Sequence, residues 1–187
     1  MPAHGETRRR MLDAAVAVMR EKGASGVTID EVLARSGAPR GSVYHHFPGG
    51  RQALIRETLD YAGESYSGML ERAAARGPDA VVTRLVEFWT RVLLDSDYRA
   101  GCPVVATAVR PPDGNEVIGR RAAEIFAGWQ LAVAGAFTRA GVPGRQSATA
   151  ATTLLAALDG AVSLCRTTRS LAPLNDVAAV LPRLVTL

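Results

Sequence analysis

The chain has 187 residues, enough for one or two small domains with a sizeable buried core. No run approaches the roughly 18 uninterrupted apolar residues of a membrane span, and no apolar stretch follows the charged N-terminus, so neither a span nor a secretory signal is expected. The net charge is only +4, but residues 1–56 hold nine Lys/Arg against five Asp/Glu, so the whole excess lies there.

The cysteine and histidine positions point to no metal or cofactor. Cys102 and Cys165 lie far apart and form no C-x-x-C pair. Buried thiols of a cytosolic protein are the simpler interpretation, and a redox or electrophile switch is the alternative. The three histidines, His4, His45 and His46, lie away from carboxylate clusters, so no metal site is predicted.

A first helix is predicted over residues 7–22, ending at Gly23. Its inward stripe follows the helical repeat and consists of Leu12, Ala15, Val16 and Met19. The basic cluster at residues 8–10 precedes this stripe. It is either a solvated helix end or an arm that contacts the backbone or minor groove of DNA.

Residues 28–47 predict two short helices joined by a tight turn. Thr28 and Glu31 form a T-x-x-E capping box that begins the first of them. The sequence SGAP at residues 36–39 ends it, since Gly suits a helix C-cap and Pro cannot continue a helix. Pro39 has a φ already set for a new helix, which is expected over residues 40–46. Helix, short turn and helix form the helix-turn-helix pattern, whose second helix lies in the DNA major groove.

The second of these helices carries donors and almost no carboxylates. Arg40 and Ser42 are the candidates for base edges, because an Arg fork can bind guanine O6 and N7. Gly41 lets the helix approach DNA closely. Tyr44 and His45 are candidates for phosphate contacts, and Thr28 is another because its hydroxyl lies at a helix N-terminus. Val43 and Phe47 are expected to face inward, and His46 either packs at the helix end or touches a phosphate.

Residues 7–56 resemble the DNA-binding domain of the TetR family of transcriptional repressors. The matching segments are T-x-x-x-x-L-D-A-A at 7–15, G-x-x-x-x-T at 23–28, G-x-x-x-G-S-V-Y-H-H-F at 37–47 and A-L-I at 53–55. The segments FPGGR at 47–51 and GCPV at 101–104 resemble the LmrA/YxaF-like branch.

The resemblance implies further roles near the end of this segment. Family members commonly have a Lys that touches a phosphate at the start of the fourth helix, and here Arg51 stands in for it, one residue later than usual because of the Gly-Gly pair at 49–50. They often have Ser or Thr where this chain has Pro39, so Pro39 is not counted as a DNA contact.

The rest of the chain is predicted to be helical. Helices are expected over residues 51–76, 79–95, 104–110, 115–140, 145–169 and 174–187, separated by breaks such as PPDG at 111–114 and GVPG at 141–144. The fold class is therefore all-α, with an N-terminal three-helix DNA-binding domain over residues 1–50 and a C-terminal helical ligand-binding and dimerisation domain over residues 51–187.

The last two helices are candidates for a dimer interface. Small residues over 148–160 make a flat face that another helix can approach closely, which suits a four-helix bundle across a two-fold axis. An intrachain core is the alternative, but helix-turn-helix proteins use two half-sites one turn apart. The predicted interface residues are Leu155, Leu158, Val162, Val177, Val180 and Leu184.

Aromatic residues of the second region are expected to enclose one space, which in the family holds the inducer. The candidate ligand-binding residues are Phe88, Trp89, Tyr98, Cys102, Phe126 and Trp129, with Thr107 and Gln130 as further polar anchors. Each taken singly is better explained by core packing. As a set they predict a mainly apolar pocket for a hydrophobic or aromatic small molecule.

The predicted function is a cytoplasmic homodimeric repressor that binds a palindromic double-stranded operator and is released by a small-molecule inducer. An enzyme is not favoured, because the chain has no G-x-S-x-G, phosphate loop or metal-ligand spacing. A helical module that has lost DNA recognition is not favoured either, because the donor set of residues 40–45 is intact.

Overall fold

The structure is a computed structural model, and it describes residues 4–181. All regular elements in this range are helices, as predicted, and they comprise nine α-helices and two 3-10 turns. The α-helices are α1 His4–Lys22, α2 Ile29–Ser36, α3 Ser42–His46, α4 Gly50–Ala74, α5 Pro78–Asp95, α6 Pro103–Val109, α7 Glu116–Arg139, α8 Gly144–Thr168 and α9 Ala172–Val180. The 3-10 turns are Ala24–Gly26 and Pro112–Gly114.

The ends of α2 follow the signals in the sequence. The Thr28 hydroxyl accepts a hydrogen bond from the Glu31 amide at 3.2 Å, which is the Thr half of the capping box. The Glu31 carboxylate turns instead to Lys22 and Arg35. Gly37 ends the helix with a φ of 63°, a conformation that Gly adopts without strain.

Helix α3 begins two residues later than predicted. Its first residue is Ser42 rather than Arg40, because residues 39–42 form a turn in which the Ser42 amide donates to the Pro39 carbonyl at 2.9 Å. Arg40 and Gly41 therefore precede the helix and belong to the turn.

The described residues divide into two compact units. Unit 1 contains the residues up to Glu64 together with Cys102–Ile125, and unit 2 contains Ser65–Gly101 and the residues from Phe126 onward. Helices α4 and α7 contribute to both. The division differs from the functional boundary expected after residue 50, since α6 and the first half of α7 group with the N-terminal helices. That boundary stays a prediction.

Unit 1 has a core built by the helices on either side of the turn. Val27, Val32, Val43 and Phe47 are fully buried there. A Cβ added to buried Gly63 of α4 would lie 2.9 Å from Cγ2 of Ile125 on α7. Glycine at this position is therefore what lets the two helices approach so closely.

Unit 2 is organised around α8. Helix α5 packs against α8 and α9, and these two pack against each other. Most of its buried side chains are apolar, and they include Leu85, Leu93, Leu154, Leu158 and Leu174. Helix α8 is long and apolar enough to cross a membrane by length and composition, a property it shares with core helices of soluble proteins. Its packing against two neighbours identifies it as a core helix.

Candidate functional site

The exposed side of α3 is set by the residues that anchor the opposite side. Val43 and Phe47 are buried in unit 1, as the sequence predicts. The side chains between them therefore point outward, so that Tyr44 is 62% exposed and His45 is exposed as well. Gly41 is exposed just before the helix, where no side chain separates the backbone from an approaching partner.

Arg40 is held in a solvent-exposed ion pair. Its guanidinium Nη2 lies 2.9 Å from Oδ1 of Asp30, and the two side chains are 82% and 75% exposed. Exposed pairs of this kind contribute about 0–1 kcal/mol, so the pair does not prevent Arg40 from reaching a base. No pattern in the sequence indicated this pair, because Asp30 and Glu31 together look like the ordinary acidic first turn of a helix.

Two hydroxyls of the candidate site already make local hydrogen bonds. Ser42 Oγ donates to the Pro39 carbonyl at 2.6 Å, which closes the turn before α3. Its oxygen can still accept a hydrogen bond. Thr28 uses its oxygen as an acceptor for the α2 cap, and its hydroxyl proton remains able to donate to a phosphate oxygen.

A salt-bridge cluster fixes α2 to α1. Arg35 Nη2 lies 2.9 Å from a Glu21 oxygen and 2.9 Å from a Glu31 oxygen, and Lys22 lies 3.1 Å from Glu31. The hydrogen bonds that Glu31 accepts from Lys22 and Arg35 lower its pKa, and the hydrogen bond that Arg35 donates to Glu21 raises the pKa of Arg35. Glu31 and Arg35 therefore stay charged at neutral pH.

Arg8 belongs to the packed structure of unit 1. Its Nη2 lies 2.6 Å from Oε2 of Glu57, and its guanidinium lies 5.6 Å from the centre of the Phe47 ring. Arg8 thus has partners within unit 1 while 44% of its side chain is exposed, and both interpretations of the basic cluster stay predictions. Arg9, the next residue, is exposed.

Arg51 makes three contacts within unit 1. Its Nε donates to the Val27 carbonyl at 2.7 Å, its Nη2 donates to the Ser25 carbonyl at 2.9 Å, and its Nη1 pairs with the Asp113 carboxylate. The Arg51 guanidinium was predicted to contact a DNA phosphate, but in the structure it binds the chain just before α2. Sequence spacing gave no sign of this, since Asp113 lies 62 residues away.

The aromatic candidates of unit 2 form a contiguous cluster around a residue that the sequence interpretation did not include. The Tyr66 ring centre lies 5.1 Å from that of Phe88, 6.4 Å from that of Trp89 and 4.3 Å from that of Trp129. Phe126 joins through Trp129, at 6.0 Å. The indole nitrogen of Trp129 donates to the Ser67 hydroxyl at 3.0 Å.

The other ligand candidates lie elsewhere or are engaged locally. Cys102 belongs to unit 1, where its sulfur accepts from the Val105 amide at 3.5 Å at the start of α6. Thr107 is buried and donates to the Pro103 carbonyl. Tyr98 lies in unit 2, in the turn after α5, where its φ is 59°.

Three of the proposed interface residues are buried within the single chain. Leu155, Leu158 and Val162 are 5%, 2% and 1% exposed, so they have little surface for a second copy. Val177 is half-buried, Val180 is 55% exposed, and Leu184 lies outside the described residues. The outer side of α8 carries instead a stripe of small exposed residues at helical spacing: Thr149, Thr153, Ala156, Gly160, Ser163 and Thr167.

An all-helical chain with an exposed recognition helix in a basic N-terminal segment is a helix-turn-helix DNA-binding protein. The model of the bacterial regulatory proteins of the tetR family matches residues 11–58. The model of the LmrA/YxaF-like transcriptional regulator C-terminal domain matches residues 78–180. The chain belongs to the TetR family of transcriptional regulators.

Relatives and solved structures agree with this family. The chain is 38% identical over 175 residues to an uncharacterised HTH-type transcriptional regulator of Mycobacterium tuberculosis, covering 91% of this chain and 89% of that one. It is 24% identical to the HTH-type transcriptional regulator LmrA of Bacillus subtilis, covering 98% of each. A regulatory protein TetR from Rhodobacter sphaeroides has a similar fold, with a TM-score of 0.82 at 18% identity, covering 94% and 96%.

Proposed function

We propose that this chain is a cytoplasmic repressor that binds a palindromic operator as a homodimer and is released by a small hydrophobic or aromatic ligand. TetR-family regulators are DNA-binding proteins and are generally not enzymes. The observation that carries the proposal is the outward face of α3 and the turn before it, where Arg40, Tyr44 and His45 are exposed over a buried Val43 and Phe47.

The roles at this face follow from geometry and chemistry. Arg40 reads a base edge, because its fork is exposed and its partner Asp30 is easily exchanged for a base. Ser42 offers its oxygen to a base amino group, and Gly41 allows close approach. Tyr44, His45 and Thr28 contact phosphates and so position the helix without specifying sequence.

The dimer would place two such faces one helical turn apart. We propose that it forms through the small-residue stripe of α8 and the exposed end of α9 at Val180, rather than through the buried Leu155, Leu158 and Val162. Small residues let two helices approach closely, and a two-fold axis through them gives a self-complementary interface.

The aromatic cluster is the proposed ligand region. Tyr66, Phe88, Trp89, Phe126 and Trp129 offer ring faces with few charges, so a hydrophobic or aromatic molecule would insert among them. Ligand and operator then favour different arrangements of the dimer, and each weakens binding of the other to the same extent.

Duplexes selected from a random pool with the wild-type protein provide the test. The wild type should bind a selected palindrome with an affinity that falls steeply as salt is raised. Arg40→Ala should lose about 1–3 kcal/mol of discrimination at one base position. Arg76→Ala removes the same charge at an exposed position in unit 2 and should leave that discrimination intact. Absence of salt-sensitive duplex binding by the wild type would refute the proposal.

A further inference from the structure

The contacts of Arg51 converge on the chain segment that leads into α2. The Ser25 and Val27 carbonyls lie three residues and one residue before Thr28, whose side chain caps the helix. The Val27 side chain is fully buried, so its backbone has little freedom to shift while the core is intact. Holding these two carbonyls therefore fixes where α2 begins, and with it the turn and α3.

Asp113 holds the other side of the same guanidinium. It belongs to the 3-10 turn Pro112–Gly114, between α6 and α7, and its φ is 52°, in the left-handed region that Asp and Asn tolerate better than most residues. The 3-10 turn Ala24–Gly26 packs against both α6 and this turn. A residue far outside the helix-turn-helix thus contacts the Arg that fixes its start.

Neighbouring amides hold Asp113 in place. Gln52, next to Arg51 on α4, donates from Nε2 to the Asp113 carboxylate at 3.3 Å. Asn115 donates from Nδ2 to the Gln52 side-chain oxygen at 3.3 Å. The Asn115 oxygen in turn accepts from the amides of Val117 and Ile118 at the start of α7, at 3.2 and 3.3 Å. The starts of α2, α4 and α7 are joined in one network.

We propose that Asp113 is a positioning residue for DNA reading. It orients the Arg51 guanidinium, and that guanidinium fixes the start of α2 and so the placement of α3 in the groove. Arg51 acts in this network rather than on a phosphate. The inference rests on the DNA-binding function proposed above, and its test uses the duplex on which that function is first established.

Neutralising Asp113 should change DNA affinity in opposite directions for a positioning role and for a purely electrostatic role. Asp113 is a carboxylate in the unit that binds DNA, so neutralising it should strengthen binding to any duplex if only long-range charge mattered. If Asp113 positions α3, neutralising it should instead weaken binding to the selected duplex. Asp113→Asn is suitable because Asn also tolerates the left-handed backbone at this position.

The experiment compares Asp113→Asn with Glu116→Gln, which neutralises an exposed carboxylate three residues further on. Each is measured on the selected palindrome and on a scrambled duplex of the same composition. Asp113→Asn should weaken binding to the palindrome about fivefold, the difference between a charge-assisted and a neutral hydrogen bond, without weakening binding to the scrambled duplex. Glu116→Gln should bind both duplexes at least as well as the wild type.

Arg51→Lys gives an independent variant. It keeps the positive charge, so a phosphate contact would largely survive, but an ammonium cannot span three acceptors placed for a planar fork. It should therefore lose palindrome affinity as Asp113→Asn does. Hydrogen exchange without DNA should also show faster exchange of the α2 amides in both variants.

The outcomes are distinct. If the wild type selects no duplex, the proposed DNA-binding function fails. If it binds a palindrome and Asp113→Asn binds that palindrome equally well or more tightly, the positioning role is overturned. Wild-type affinity in Arg51→Lys, or unchanged α2 exchange in Asp113→Asn, overturns it as well.

Discussion

Thr58 carries a buried hydroxyl in the first half of α4. The residue is fully buried beside Ile55 and Leu59, and its Oγ1 has no hydrogen-bond partner within the described part of the chain. A Thr in a helix commonly donates to the carbonyl four residues earlier. Here the hydroxyl is desolvated without compensation, which costs stability.

Replacing this hydroxyl with a methyl group should stabilise the protein. Thr58→Val keeps the branched shape and removes the unpaired polar atom, so the free energy of unfolding should rise by about 1 kcal/mol. Urea unfolding followed by circular dichroism measures the change. Thr83→Val, at an exposed position on α5, is the matched control and should have little effect. A destabilised Thr58→Val would show that the hydroxyl has a partner in solution.

At the scale of single residues, the sequence predicted which side chains are exposed better than it predicted which atoms they contact. The outward positions of Tyr44 and His45 follow from the helical repeat that buries Val43 and Phe47. The partners of Arg51 do not follow from any local pattern, because they are two backbone carbonyls and a carboxylate brought close only by the tertiary fold. The place of Tyr66 in the aromatic cluster does not follow from a local pattern either, because its ring neighbours Phe88 and Trp129 lie on other helices.

At the scale of whole elements, the predicted helices agree with the structure because their ends depend on nearby residues. Gly37, Pro78 and Pro103 end or begin helices through their own backbone conformations. The pattern of a helix does not show, however, which other helix or chain packs against its apolar face. The pattern of α8 shows that Leu155, Leu158 and Val162 lie on an apolar face, but not that α5 and α9 of the same chain cover it.

Asp159 is a half-buried carboxyl in the middle of α8. Burial raises its pKa above the usual 3.8, and the positive charge of Arg166 opposes this with a smaller effect. The folded chain therefore binds this proton more tightly than the unfolded chain does. The contribution of the group to stability is fully present below pH 3.8 and is lost as pH rises through the raised pKa.

Asp159→Asn should remove this pH dependence. The variant should be more stable than the wild type at neutral pH, and the difference should shrink as the pH falls towards 3.8. Thermal unfolding at pH values from neutral down to about 4 measures it. Asp176→Asn, at an exposed position on α9, should produce no comparable trend. If the difference in stability between Asp159→Asn and the wild type widened on acidification, burial could not be the dominant effect on the pKa of this carboxyl.

At the scale of the whole molecule, DNA binding and assembly are connected. A single α3 of five residues presents few base contacts, so useful affinity requires two copies at a fixed separation. The sequence indicates this requirement, and the resemblance to a dimeric family supports it. The sequence predicted an interface from both the small residues over 148–160 and the leucines of α8, and the structure separates them by showing which of these side chains stay exposed within the single chain.

Gly160 gives a direct test of the outer stripe of α8. An added Cβ at this position meets open space within the single chain, and a non-Gly residue has a higher helix propensity by up to about 1 kcal/mol. Gly160→Arg should therefore fold well as a single chain.

A long charged side chain on each copy should nevertheless keep two α8 helices apart. Light scattering should then give a mass near 19.7 kDa for the variant and twice that for the wild type. Ala123→Arg, at an exposed position on α7 in unit 1, is the control and should remain a dimer. Gly160→Arg should also lose the preference for a palindrome over a single half-site, because independent chains gain nothing from the second half-site. A dimeric Gly160→Arg would place the two-fold axis away from the stripe.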